Sequence, residues 1–338
     1  MKSRVLVTRF SAMGDVAMVA SVLKELQQQH NSLEIIMVSR ALFAPFFEGI
    51  PNLTFHPFFP EEQNKGVTGI WKLFQELKHY RIDYVADLHN NIRSGILNLM
   101  FKTAGIPISI LDKGRSQKKA LTRTKRKIKR PLEPTVERYA DVFRKLGFNV
   151  TLNNHLTRLE RPIPDGFQQF IENGKQTIGI APFAQHPFKV WDIQNWPKVF
   201  EGFSSETHQF IIFGGGNQEK EIASSWETEF PHVISAIGTI KLRQELDLIS
   251  YLDYMISMDS SGMHMASLIG IRCLSLWGAT HPYAGFLGYG QSIDDCIQVE
   301  HPNRPSSVYG NKSCICDGKE AIDLISVDMV IETMKKIS

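Results

Sequence analysis

Long apolar runs are missing from this chain of 338 residues. No uncharged stretch reaches the ~18 residues that a membrane-spanning helix needs, which excludes a helical integral membrane protein. Cysteine is scarce: four residues exclude a disulfide scaffold and suit a reducing compartment. Metal motifs are missing too. There is no His-Glu-x-x-His, no acidic cluster and no C-x₂-C knuckle. Cys314-Ile315-Cys316, with Cys296 and His301 nearby in sequence, is a C-x-C without a second pair and reads as free thiols. The glycine run Phe213-Gly-Gly-Gly-Asn-Gln-Glu219 is too loose for a dinucleotide fingerprint. Met1-Lys-Ser-Arg4 has the charge of a signal start, but Arg9 and Asp15 interrupt the apolar stretch after it, so no export is expected.

The residues that are present suit a folded enzyme of two domains. The length exceeds the usual single core, so two units of about 150 residues are expected. Hydrophobic residues at 43% and charged residues at 22% are ordinary for globular chains. The net charge of +3 hides an asymmetry, because Lys113 to Arg130 holds ten basic residues and no acid. Without that arm the remainder carries 28 basic and 35 acidic residues, a net of −7. A basic arm on an acidic body suits an anionic membrane surface, a phosphorylated acceptor or nucleic acid. Aromatic residues do not interleave with its charges as stacking platforms, so nucleic acid is not expected.

Strand-like runs alternate with helical periodicity. The first half reads as strands at 4–8, 34–38, 53–56, 84–87 and 106–111, with a helix at 69–79. After a polar, proline-containing stretch at 157–166 the pattern restarts. Strands are expected at 177–180, 209–213, 233–236, 254–258 and 272–276, and helices at 218–229 and 244–251. Two βα halves imply two parallel sheets, each covered by helices on both faces, with ligands at the carboxyl ends of the strands. The expected domains are 1–165, carrying the basic arm 113–130, and 166–338.

Two strand-to-helix junctions carry the chemistry. Met258-Asp-Ser-Ser-Gly-Met-His264 ends an apolar strand and begins a helix, aiming free N–H groups and a positive dipole end above the strand. A phosphate or diphosphate fits there, with His264 as a further donor. An ordinary N-cap is the alternative. Arg4 to Val16 repeats the layout and places one carboxylate, Asp15, in the first helical turn, before an apolar stripe of Val16, Val19, Ala20, Leu23 and Leu26. Arg93, Arg115 and Arg138 are candidates to grip acidic sugars or phosphates, with structural ion pairs as the alternative.

In order and spacing the chain resembles glycosyltransferase family 9, the ADP-heptose:lipopolysaccharide heptosyltransferases. The resemblance runs from Phe10-Ser-Ala-Met-Gly-Asp15, through Lys189-Val-Trp191 and Asp259-Ser-Ser-Gly-Met-His264, to Gly278-Ala-Thr-His-Pro282 and Phe286-Leu-Gly-Tyr-Gly290. It implies a GT-B fold, two Rossmann-like domains with parallel sheets facing across a cleft, the last helix packing back on the N-terminal domain. It also implies an inverting, metal-independent transfer with no cofactor. ADP-heptose is then the donor, held by the C-terminal domain, and the acceptor is a lipid A-linked core oligosaccharide at the cytoplasmic face of the inner membrane. Asp15 becomes the general base. The donor residues are Ala184, Gln185, Lys189, Glu219 (or Glu221), Asp259, Ser260, Ser261, Gly262 and His264. Relatives often carry two threonines where this chain has Ala184 and Gln185, so a backbone N–H must replace the hydroxyl at Ala184. Ser11 joins Arg93, Arg115 and Arg138 on the acceptor side. Two other readings stay open: another nucleotide-sugar donor on the same scaffold, for a different surface glycan, and a non-catalytic binder of anionic ligands or nucleic acid.

Overall fold

The computed structural model describes residues 3–337, so the signal-like charge at Met1 and Lys2 lies outside the described residues. The elements in chain order begin with β1 (Arg4–Thr8), α1 (Met13–Gln29), β2 (Glu34–Arg40), β3 (Leu53–Phe58), α2 (Gly66–Lys78), β4 (Tyr84–Asp87), α3 (Ile92–Thr103) and β5 (Ile108–Ile110). Next come α4 (Arg115–Thr122), α5 (Thr135–Arg144), α6 (Gln168–Ile171), β6 (Gln176–Ala181), α7 (Trp196–Glu201), β7 (His208–Ile212) and α8 (Asn217–Glu229). The chain finishes with β8 (Val233–Ser235), α9 (Leu242–Ile249), β9 (Tyr254–Met258), α10 (Ser261–Ile269), β10 (Cys273–Leu276), β11 (Cys296–Ile297), β12 (Ile315–Cys316), β13 (Lys319–Glu320) and α11 (Val327–Lys335). All ten expected strands are present; those at 4–8, 84–87 and 254–258 keep their expected ends and the others shift by one to two residues. Two features are too short for periodicity to show: β11, a sixth strand paired to β10, and the two-residue β12–β13 hairpin.

The chain divides into two compact units. The first comprises Met1–Gly114 and Glu133–Asn153; the second comprises Arg115–Leu132 and Asn154–Ser338. Unit 1 is built on a parallel sheet of order β3-β2-β1-β4-β5. Its strands are short and Val/Ile-rich because both faces are buried. Leu6, Ile36, Val38 and Val85 meet Ile70, Leu73 and Leu77 of α2 and Leu97 and Phe101 of α3 in one core. Unit 2 has a parallel sheet of order β11-β10-β9-β6-β7-β8. Its core is more aromatic: Trp191, Trp196, Phe200, Phe210 and Trp226 pack against Ile178, Ile180 and Ile256.

One expectation about the units needs correction. The basic arm, expected in the N-terminal domain, belongs to unit 2 as an ordered strap. Lys118 lies 4.1 Å from the Phe286 ring centroid, Lys127 donates to the carbonyls of Asn303 and Pro305, Lys129 pairs with Glu300, and Leu132 N–H donates to Tyr283 O at 2.9 Å. Three lysines thus serve packing, while Arg115, Lys119, Arg123, Lys125, Arg126 and Arg130 stay exposed. The charge run suggests a solvated arm because sequence does not show which carbonyls will receive its lysines. Helix α11 belongs to unit 2. Its apolar stripe is spent inside unit 2, where Val330 and Met334 are buried in the core and Ile331 lies against Gly202 of that unit.

Candidate active site

Each sheet reverses its strand order once, and ligands of open α/β sheets sit at the carboxyl ends of the strands flanking that reversal. In unit 1 the reversal lies between β1 and β4, where Thr8 and Asp87 are register partners. The Asp15 turn follows β1 and the His89 turn follows β4. Asp87 is buried and occupied: its Oδ1 accepts the N–H groups of His89 and Asn90, both at 2.8 Å, and its Oδ2 accepts Asn98 Nδ2 at 2.7 Å. It shapes the loop. His89 Nδ1 accepts the Phe10 N–H at 3.0 Å. Burial, then Arg9 and Lys113, push the His89 pKa down to about 4, so the ring is neutral at pH 7 and poorly placed to relay protons.

Asp15 is the third residue of α1 and is held from three directions. Its Oδ2 pairs with the Arg9 guanidinium and receives the Ala12 N–H at 3.4 Å. Its Oδ1 accepts the Tyr139 hydroxyl at 3.2 Å. Tyr139 comes from α5, which packs on α1. Burial opposes the charge of Arg9, but the fields of Tyr139, Asp15 and Asp87 outweigh it, and the guanidinium pKa is raised. Asp15 therefore plays the capping role open to any first-turn acid, and also forms one corner of a charged cluster. Its side chain is 23% accessible, so solvent reaches it. Sequence reasoning misses Arg9 and Tyr139 as site residues because their meeting depends on β1 and α5, far apart in the chain.

The acceptor candidates do not gather at one point. Ser11 lies half-buried in the Asp15 turn. Arg93, half-open, is 3.9 Å from Glu61. Arg138 is buried, pairs with Glu133 at 3.4 Å and lies flat against Gly114, where a Cβ would come within 2.7 Å of its Cζ. That packing supports the structural reading of Arg138. Arg115 is exposed on the strap in unit 2.

In unit 2 the reversal lies between β6 and β9, where Ala181 and Ser257 are register partners. The loop after β6 carries Ala184, Gln185 and Lys189; the turn after β9 carries Asp259 to Ser261. Lys189 Nζ is 2.8 Å from Asp259 Oδ2 and donates to the Asp259 carbonyl at 2.9 Å. Gly310 packs against the lysine stem; a Cβ there would lie 3.0 Å from Lys189 Cε. The ammonium is thus fixed at the start of α10. Ser260 is the N-cap residue, but its side chain makes no cap bond; Ser257 Oγ instead accepts the Met263 N–H at 3.1 Å. Gly262 has a reason other than phosphate approach: a Cβ there would lie 2.5 Å from Ala181 Cβ and 2.8 Å from Ser257 Oγ. His264 is buried in the first turns of α10.

Glu219 turns back on the glycine loop. Its Oε2 accepts the Gly215 N–H at 2.7 Å, and burial raises its pKa against that bond. Gly214 is small because Glu219 Oε2 and Phe183 occupy the Cβ space, at 2.6 and 2.8 Å. Glu221 is exposed. Cys314 Sγ and Cys316 Sγ lie 3.9 Å apart, and among the described residues no group of three or more His, Cys, Asp or Glu is placed to hold a metal.

Arg304 is a residue that sequence reasoning does not find. It is fully buried and donates to the carbonyls of Gly278 at 2.6 Å, Trp277 at 2.8 Å and Thr280 at 3.0 Å, and also to that of Val299. It therefore ties down the Gly278–Pro282 loop. Nothing in sequence separates it from surface arginines. Within that loop His281 Nδ1 accepts the Tyr283 N–H at 3.1 Å, and burial, then Arg304 and Lys129, lower the His281 pKa to about 4. Arg304→Met is expected to leave these carbonyls unsatisfied and to cost about 3 kcal/mol or more. Urea unfolding checks this, and an unchanged midpoint refutes it.

Two parallel-sheet α/β units, each with one reversal of strand order, have the architecture of the GT-B fold. The sequence profile of glycosyltransferase family 9 (heptosyltransferase) matches residues 70–313, and the chain belongs to that family. It is 25% identical to the lipopolysaccharide core heptosyltransferase OpsX of Haemophilus influenzae, over 98% of this chain and 96% of that protein. In fold it is similar to a family 9 glycosyltransferase from Veillonella parvula, with a TM-score of 0.76, 18% identity and coverage of 99% and 97% of the two chains. It is also similar to the ADP-heptose lps heptosyltransferase II of E. coli, with a TM-score of 0.69, 20% identity and coverage of 99% and 98%.

Proposed function

We propose that this protein is an inverting, metal-independent heptosyltransferase that moves heptose from ADP-heptose to the inner core of lipid A-linked oligosaccharide. The observation that carries the reading is the Lys189–Asp259 pair at the start of α10, an anchored ammonium at a helix N-terminus. The heptosyltransferase relatives support the sugar and the acceptor class. ADP-heptose would bind unit 2, with its diphosphate on the α10 start and Lys189, and with Ala184, Gln185, Ser260, Ser261 and His264 bordering it. Glu219 would turn from Gly215 to the ribose hydroxyls.

Asp15 takes the proton from the acceptor hydroxyl as that oxygen attacks the anomeric carbon. The bond to the diphosphate breaks, and the charge gathering on the leaving oxygen is stabilised by Lys189 and the α10 N–H groups. One carboxylate suffices for inversion, since no covalent sugar–enzyme intermediate is formed. Asp87 borders the same switch point but is spent on loop amides and Asn98. Calorimetry with ADP-heptose, a GDP-sugar and a UDP-sugar tests the donor. Tight binding of ADP-heptose alone is expected, and preference for a GDP- or UDP-sugar would replace it.

The exposed part of the strap is proposed to meet anionic groups of the acceptor or the membrane surface that carries it, at the inner face of the inner membrane. Lys119, Lys125, Arg126 and Arg130 changed together to Gln should raise acceptor KM and flatten its salt dependence, leaving donor affinity unchanged. Each charge is worth up to ~1 kcal/mol at low salt. Lys118 and Lys127 are poor choices for this test because their loss would unpack the strap. An unaltered acceptor KM would reduce the strap to a packing element.

A further inference from the structure

Helices α2 and α3 each expose large apolar side chains to solvent. On α2, Val67 and Trp71 are 62% and 54% exposed; on α3, Ile92 and Leu99 are 84% and 62% exposed. At 100° per residue, positions 67, 71, 74 and 78 share one stripe, and 92, 96, 99 and 103 share another. The two helices pack side by side. Phe74 meets the Phe101 ring edge-on at 4.9 Å, Ile96 and Met100 are half-buried beside them, and Arg93 and Glu61 approach to 3.9 Å near the helix starts. Single exposed apolar residues are ordinary, but four large ones on two adjacent helices mark an interaction surface.

The charge on these helices indicates the partner. They carry four cations, Lys72, Lys78, Arg93 and Lys102, against one anion, Glu76. That anion is already engaged by His56 Nε2 at 3.1 Å. Lys78 lies 5.7 Å from the Phe74 ring, in the same stripe as Trp71. Lysine is depleted from protein–protein interfaces. Cations interleaved with tryptophan and aliphatic side chains suit the headgroup region of an anionic bilayer instead.

We infer that the outer face of α2 and α3 docks unit 1 on an anionic lipid surface, with Trp71 and Leu99 entering the headgroup layer. The inference goes beyond the proposed transfer reaction and rests on it only for the motive, a lipid-linked acceptor. It assigns membrane contact to unit 1, separately from the strap of unit 2.

Of the five tryptophans, Trp191, Trp196, Trp226 and Trp277 are buried and Trp71 is exposed, so emission changes on docking report Trp71. The full chain is mixed with phosphatidylethanolamine–phosphatidylglycerol vesicles and, separately, with phosphatidylcholine vesicles. Cosedimentation with the anionic vesicles is expected, with a blue shift and loss of acrylamide quenching that Trp71→Phe removes. The pair Trp71→Ser and Leu99→Gln should cut partitioning by about 10- to 100-fold and leave turnover of a deacylated, soluble acceptor unchanged. Three results overturn the inference: no vesicle binding by the wild type, equal binding by the double variant, or loss of binding only when the strap cations are removed. A dimer in sedimentation velocity that the double variant dissociates, without vesicle binding, assigns the face to a second copy and also overturns it. Transfer to the soluble acceptor reports separately on the proposed function.

Discussion

Asp15→Asn is expected to lower kcat by about 10²–10⁴-fold, the usual cost of losing a general base, while donor Kd stays within a few-fold of wild type. Asn is nearly isosteric and can still receive the Ala12 N–H at the helix start. It cannot neutralise Arg9, which is buried and pairs with Asp15. Sequence alone suggests a near-neutral stability change for this substitution, because an amide is acceptable in a first helical turn. The ion pair alters that expectation: a loss of about 1–3 kcal/mol should accompany the kinetic defect. Rates are therefore to be measured well below the midpoint of thermal unfolding. Arg9→Met tests the pair from the other side. If Asp15→Asn retains wild-type kcat in a folded protein, Asp15 is only a cap and another base must be sought.

The second large effect is expected at Lys189. Replacing it by Met removes the ammonium that contacts both the carboxylate and the carbonyl of Asp259. Losing one preorganised donor to a charge that develops in the transition state typically costs about 10²–10³ in kcat. Donor affinity should fall as well, since in the proposed reaction the same cation also faces the ground-state diphosphate. The substitution also strands Asp259, which is buried at 3% exposure. The double variant Lys189→Met with Asp259→Asn removes that unpaired charge. If the double variant recovers stability but not turnover, the lysine acts on the leaving group. If it recovers both, Lys189 served only to neutralise Asp259.

The alternation of strands and helices is readable because buried parallel strands are short β-branched runs: Val5-Leu6-Val7 and Ile35-Ile36-Met37-Val38 admit few other interpretations. The positions of Asp15, Lys189 and Asp259 are also readable, since each follows a strand at a sequence signature. Strand order is not written locally. That Thr8 sits beside Asp87, and Ala181 beside Ser257, emerges only when the sheets form. The supports of the site depend on the same long-range pairing. Tyr139 reaches Asp15 from α5, and Arg304 gathers the carbonyls of Gly278, Trp277 and Thr280 from a later loop. Glycine is legible as a residue type but not as a cause: Gly262 reads as a phosphate approach, and its space is filled by Ala181 and Ser257. The basic strap is likewise visible as charge, whereas its docking on Phe286, Asn303 and Glu300 is not.

The proposed reaction is tested at its centre by a transfer assay with purified protein, ADP-heptose and a lipid A-linked core acceptor lacking heptose. ADP release and heptosylated product are followed together, and the anomeric configuration of the new bond is read by NMR. One ADP per heptose transferred is expected, with inversion at the anomeric carbon and loss of both signals in Asp15→Asn. Transfer with retention, transfer from a GDP- or UDP-sugar but not from ADP-heptose, or full turnover by Asp15→Asn would each contradict the proposed mechanism.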